Sequence, residues 1–322
     1  MGRSLEQMGA AMSSFDTFPP DDLVANFQMD QKPVRGRIAR LGNNSLAPII
    51  DRHKYPVELA RLVGEAVTLA ALIGSSIKFD GRLLVQAEGA GAVTMLVGEY
   101  STETGGLRGY ARYDKAAWEK LERINKGGRP HMPQLFGSGA LGIIIVHSDP
   151  SMRPYQGVVP LAKATLAECA EDYFNQSEQV PTRVALSVAE HKMAGEDARW
   201  RSGGMLLQQV AGDDARGDTD ADWEEARALF ATLTDEELAD PQLAATDLLY
   251  RLFHEGGVRM EQATALIDMC TCSQERLEST LKSMPDDQLR EMAEPDGTLV
   301  ADCQFCSRVY RIPLSEITEP AN

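Results

Sequence analysis

Hydrophobic positions along this chain change their period several times. Short runs rich in β-branched residues or alternating apolar with polar positions predict strands at 34–41, 83–88, 93–97, 107–113, 141–147, 184–189 and 205–210. Helical spacing dominates at 57–73, which is nearly continuous in apolar residues, and at 164–176. Successive strands lie at hairpin distance, with Asp80-Gly81, Gly89-Ala90-Gly91 and Gly105-Gly106 as turns. That order predicts an α+β fold, a large mixed N-terminal domain with antiparallel sheets, rather than a doubly wound parallel sheet.

The pattern changes after residue 211. Between Gly212 and Asp240 eleven acidic residues face only Arg216 and Arg227, while Trp223, Ala226, Leu229, Phe230 and Leu233 are spaced for one apolar helical face. This predicts an acidic helical linker, a charged connector with a greasy side, or more plainly an ordinary surface helix packed on the main domain. From about 269 onward Ser273 is an N-cap candidate for a helix at 274–282, and Pro285-Asp286 opens another. The expected organisation is therefore a domain at 1–211, a linker at 212–268 and a small C-terminal domain at 269–322.

Composition narrows the function. With 43% apolar and 25% charged residues the chain is an ordinary globular sequence. Its 48 acidic against 32 basic side chains give a net charge of −16, which argues against nucleic acid or an anionic membrane as partner. The stretch MGRSLEQMGAAMSSFDTFPPDD lacks the apolar core of a signal peptide, and the apolar run from Ala66 to Ile77 is too short to span a bilayer. The expectation is a cytoplasmic protein whose thiols are kept reduced.

In that setting the five cysteines point to metal or redox chemistry. Cys270-Thr271-Cys272, thirty intervening residues and Cys303-Gln304-Phe305-Cys306 make two close pairs, the arrangement that closes a tetrahedron around zinc. Iron in the same ligand set is the minor alternative. Residues two apart point to different sides of a helix, so Cys270 and Cys272 are expected on a turn or extended segment. Four thiolates leave no open position, so the site is structural rather than hydrolytic, yet it is also readily oxidised. Cys169 lies in a helical pattern and reads as a buried inert thiol. The histidines at 53, 131, 147, 191 and 254 lack ligand spacing, and no catalytic or cofactor-binding motif appears, so no enzyme is expected. A zinc-ribbon nucleic-acid module and a thiol oxidoreductase using Cys303 and Cys306 are the rival classes; the first lacks a basic face and the second leaves Cys270 and Cys272 without a task.

Beyond the cysteines, IKFDGRLLVQAEGAG (77–91), RGYARY (108–113), YQGVVPL (155–161), TLAECAEDYFNQSEQVPTRVAL (165–186), SGGMLLQ (202–208), LLYRLFHE (248–255), CTCSQER (270–276) and CQFC (303–306) together resemble one family over nearly the whole chain. That family is the redox-regulated holdase chaperones, the 33-kilodalton heat-shock chaperonins of bacteria. The resemblance implies a zinc-bound, inactive reduced form held by Cys270, Cys272, Cys303 and Cys306. It further implies oxidation to disulfides Cys270–Cys272 and Cys303–Cys306, with loss of zinc and unfolding of the C-terminal unit. The product would be an ATP-independent binder of unfolding client proteins, with a homodimer as an option for the oxidised form. Two positions depart from the family: Ser307 stands where relatives often have Gly, and ALIDM before Cys270 is more apolar than usual.

Overall fold

The computed structural model describes residues 21–192, 195, 197–210 and 219–318. The signal-peptide reading of the N-terminal stretch, up to residue 20, and the acidic start of the linker, up to 218, lie outside the described residues. The chain divides into two compact units, Met1–Asp268 and Met269–Asn322.

The strands of the first unit are β1 (Leu23–Met29), β2 (Val34–Leu41), β3 (Gly81–Gly89), β4 (Val93–Ser101), β5 (Gly106–Tyr113), β6 (Gly139–His147), β7 (Tyr155–Pro160), β8 (Thr182–His191), β9 (Arg199–Gln209), β10 (Val258–Met260), β11 (Thr264–Ala265) and β12 (Ile267–Asp268). Its helices are α1 (Ala47–Asp51), α2 (Val57–Gly74), α3 (Lys115–Asn125), α4 (Met132–Phe136), α5 (Leu166–Tyr173), α6 (Asp220–Phe230), α7 (Asp235–Ala239) and α8 (Ala245–Phe253). One sheet runs β10-β1-β2-β9-β8, with β11 also paired to β1, and the other runs β12-β5-β4-β3-β6-β7. The ladders are antiparallel apart from the short parallel pairing of β12 with β5. The architecture is the α+β one that hairpin spacing predicts.

Helix α2 is apolar all round because both of its sides are covered, one by each sheet. Its backbone reaches β4 closely: a Cβ placed on Gly98 would lie 2.3 Å from the carbonyl oxygen of Ala66. On the opposite side a Cβ on Gly204 of β9 would lie 2.7 Å from the Thr68 methyl. Glu65, the charged residue deepest in the helix, is answered by Arg129 at 3.3 Å.

Side chains alternate across a strand, so the β1-β2-β9 sheet has a second face to bury. Val24, Ala39, Leu41 and Leu206 join the α2 core. Leu23, Phe27, Ile38, Met205 and Leu207 point the other way, into a second core closed by Trp223, Phe230, Leu248 and Phe253. The apolar face read between Trp223 and Leu233 is this lining, so the segment is packed on the sheet. Further along the expected linker, residues 258–268 supply β10 and β11 to the first sheet and β12 to the second, which helical spacing alone does not suggest.

Several elements extend beyond their sequence pattern. The apolar run of β4 ends at 97, but the strand continues to Ser101 because Glu99 sits opposite Arg108 on β5 and accepts from it at 2.9 and 2.8 Å. Strand β1 follows an acidic tail, and its period of two, Ala25, Phe27 and Met29 inward, is short enough to miss. Helix α3 buries only Trp118, so its hydrophobic signal is weak, although Asp114 caps it by accepting from Ala117 N–H at 2.7 Å. Helix α5 stops at Tyr173 and passes into a π-turn over Phe174–Glu178.

The close approach of α2 gives a test of this packing. Gly98→Ala has backbone, not a movable side chain, in its way and should lose roughly 1–3 kcal/mol of stability in denaturant titration. Gly142→Ala on β6, whose Cβ would meet nothing closer than 3.5 Å, should stay within about 0.5 kcal/mol of the unmodified protein.

Candidate metal centre

The second unit is small. Its described elements are α9 (Gln274–Leu281), α10 (Asp286–Met292), the hairpin β13 (Thr298–Asp302) with β14 (Val309–Pro313), and α11 (Leu314–Ile317). Five apolar side chains are buried at its centre: Leu281, Leu289, Leu299, Ile312 and Ile317. Such a core is too slight to hold a fold of this length unaided, and small domains add a metal or disulfides for that reason.

Local chemistry places the cysteines. Ser273 caps α9 by accepting from Arg276 N–H at 3.3 Å, which fixes where the helix begins and leaves Cys270 and Cys272 on non-helical backbone just before it. Cys303 and Cys306 lie on the loop of the β13–β14 hairpin, where Cys303 N–H donates to Arg308 carbonyl at 2.9 Å and Ser307 N–H to Cys303 carbonyl at 2.8 Å. The loop turns through Ser307 at φ +57°, a left-handed conformation that glycine takes without steric cost and serine does not. Ser307 is therefore the residue of the hairpin loop that carries a conformational penalty.

The four sulfurs converge, all lying within 4.8 Å of one another. Cys270 Sγ is 3.7 Å from Cys303 Sγ, and Cys272 Sγ is 3.4 Å from Cys306 Sγ. A tetrahedron with Zn–S bonds of about 2.3 Å has edges of roughly 3.8 Å, so the set has the size zinc requires. These separations are far above a disulfide bond of about 2.05 Å, and all four thiols are free and half-buried. Among the described residues this is the one set of three or more His, Cys, Asp or Glu side chains placed to share a cation.

Electrostatics favour a cation here. Burial pushes the Cys306 thiol up to about 12, and hydrogen bonds that it donates to the Cys272, Cys270 and Cys303 sulfurs add to the shift. Burial likewise raises Cys270. Burial opposes the Cys272 thiolate too, but hydrogen bonds outweigh it, led by the Tyr310 hydroxyl at 3.0 Å, and its pKa falls to about 7. Without a cation the cluster favours the thiolate at Cys272 and opposes it at Cys270 and Cys306; a divalent cation would relieve that opposition. Tyr310 is a supporting residue the cysteine spacing does not reveal. Its signal is its position on β14, four residues after Cys306.

Cys169 is elsewhere. It is fully buried in the core around α2, and that burial raises its thiol pKa. The apolar approach to the cysteines has a structural role: Leu266 is buried in the first unit, Ile267 and Asp268 form β12, and Asp268 pairs with Arg52.

Comparison with known proteins bears on both units. A family model described as Hsp33 protein matches residues 22–313. The 33 kDa chaperonin of Caulobacter vibrioides is 46% identical over 298 residues, covering 92% of this chain and 96% of its own length. That of Azotobacter vinelandii is 37% identical over 305 residues, covering 92% and 94%. The crystal structure of the 33 kDa chaperonin from Thermotoga maritima matches with a TM-score of 0.73 at 21% identity, over 92% of this chain and 96% of that one, a likeness of fold. With the family model spanning both units and relatives aligned over nearly their full length, the chain belongs to the Hsp33 family of chaperonins.

Proposed function

We propose that this protein is a redox-regulated, ATP-independent holdase, zinc-bound and inactive while reduced, that oxidation converts into a binder of unfolding proteins. The observation that carries this reading is the four-cysteine cluster inside a unit with five buried apolar side chains, a fold whose persistence depends on its ligands. Cys270, Cys272, Cys303 and Cys306 hold the cation. Bound zinc supplies a closed, purely structural centre worth on the order of 10 kcal/mol to such a unit.

Thiolates are the reactive species. One thiolate of a pair attacks a peroxide, breaking the O–O bond to give a sulfenic acid and hydroxide; its partner then displaces a second hydroxide and the S–S bond forms. Per pair, two thiolates, two protons and one peroxide give one disulfide and two waters. The pairs are Cys270 with Cys272 and Cys303 with Cys306. Converting the four ligands removes what holds the second unit together, and it unfolds.

The chain runs from Cys270 back through β12 into the segment 219–268, which covers the second face of the β1-β2-β9 sheet. Freed from a folded neighbour, this segment leaves and uncovers two apolar surfaces, its own face around Trp223 and the sheet beneath. Unfolding clients bind there, in the cytoplasm, with no catalytic step; the net charge of −16 keeps nucleic acid away, and a homodimer is an option for the oxidised form. No helix among the described residues is long and apolar enough to cross a membrane.

The deciding experiment measures zinc content and suppression of a client's thermal aggregation before and after peroxide with mild heat. Zinc loss together with a gain of suppression is expected; suppression that is equal in both states sinks the regulatory reading.

Three outcomes follow from the site. The reduced chain should hold one zinc, Cys169→Ser should leave that content unchanged, and serine at any of the four C-terminal cysteines should lower zinc affinity by orders of magnitude in a chelator competition. Peptide mapping of the oxidised protein should recover mainly Cys270–Cys272 and Cys303–Cys306, and predominant Cys272–Cys303 links would overturn that pairing. Limited proteolysis between Trp223 and Leu233 should accelerate on oxidation, and Trp223→Asp should give partial client binding with zinc still in place; equal cleavage in both redox states would mean that the segment stays packed.

A further inference from the structure

Helix α7 rests on the sheet in an unusual way. Arg40 on β2, Gly203 on β9 and Ser187 on β8 are aligned across the strands in one row. Each addresses the main chain of the helix. Arg40 donates from Nη1 to the Glu237 carbonyl at 3.4 Å and from Nη2 to the Asp240 carbonyl. Ser187 Oγ donates to the Asp235 carbonyl at 2.8 Å. Arg201, two residues along β9 and so on the same face, donates from Nε to the Ala239 carbonyl at 3.3 Å, and its other nitrogens pair with Asp21. Gly203 lets the helix lie flat, since a Cβ there would sit 1.9 Å from the Leu238 carbonyl oxygen.

The side chains of this acidic helix contribute nothing to those bonds. The Glu237 carboxylate turns to Arg251 at 2.7 Å and to its own cap at Thr234. Arg40 is wholly buried, and both of its terminal nitrogens serve neutral carbonyls rather than a carboxylate. A guanidinium in that position requires main-chain acceptors whenever the face is covered, because an unsatisfied buried charge is expensive. Nothing in the row reads sequence.

We propose that this row, Arg40, Ser187 and Arg201 around Gly203, is a binding site for main-chain carbonyl groups, occupied by α7 in the resting protein and by the exposed backbone of an unfolding polypeptide once α7 has left. The proposal rests on the holdase reading and names its substrate feature. Unfolded chains of every sequence share carbonyls that lack partners, and the row offers donors for them beside the apolar side chains of Ile38, Met205 and Leu207. Helix α7 is then a tethered imitation of a client, excluding others by its high local concentration.

The test measures the dissociation constant of a fluorescent, carboxymethylated, permanently unfolded polypeptide for the oxidised full chain. Arg40→Met should weaken it about tenfold, the loss of a charge-assisted bond, and Arg40→Lys, keeping the charge without the fork, should fall between. Affinity within twofold of the unmodified protein would assign the arginine to holding α7 alone and overturn the proposal. If Arg40→Met does not fold, as read from circular dichroism and zinc content, Arg40→Lys and Ser187→Ala decide: each should weaken binding at least threefold, and unchanged affinities overturn it. Gly203→Ala separates this idea from the redox reading, since the added Cβ should evict α7 without oxidant and leave the donors intact. Should the oxidised protein fail to bind the probe while Gly203→Ala binds it, and Arg40→Lys in that background weakens binding, the redox reading falls and the row stands; no binding by either overturns both.

Discussion

A sheet that is apolar on both faces has to be covered twice, and in this protein that requirement falls on β1, β2 and β9. Helix α2 meets it on one side and the segment from α6 to α8 on the other. The demands differ. Helix α2 is held between two sheets by backbone approaches that allow no side chain at Gly98. The covering helices pack on the sheet through Trp223, Ala226, Phe230 and Leu238 and carry acidic side chains elsewhere on their surface. Double coverage explains how strands as polar as VRGRIARL and RWRSGG are buried along most of their length, with Arg35 and Arg199 left exposed: Arg37 donates to the Gln208 side chain on β9 and to the Ser76 carbonyl just after α2, and Arg40 donates to carbonyls of the covering α7.

The second unit illustrates the opposite limit. Its first helix is capped by Ser273 and its hairpin is in register, yet only five apolar side chains are buried at its centre. Ser307 adds a cost of its own: its left-handed backbone is unfavourable for a residue with a Cβ, and the rest of the folded loop has to offset it.

Much of this was legible in the sequence where one physical effect acted alone. Cysteine spacing named the four thiols that converge, and helical spacing named α2 and the apolar side of α6. The reading failed where polar groups cancelled one another across space. Glu99 looks like the end of β4 until Arg108 is seen opposite, and Arg40 and Arg201 look like solvent-facing positions until α7 supplies their acceptors. Tyr310 was invisible for the same reason, since its bond to Cys272 joins residues separated by two helices and a strand.

The burial of Cys169 gives the molecule an internal gauge of its own integrity. Its thiol lies at 0% exposure within the α2 core, whereas the other four are half-buried in the smaller unit. A thiol-specific reagent applied to the reduced, metal-stripped protein therefore counts four groups while the large unit is intact and five once that unit has come apart. The difference of one sulfur separates opening of the smaller unit from denaturation of the larger one, two events that a measurement of lost structure alone would confound.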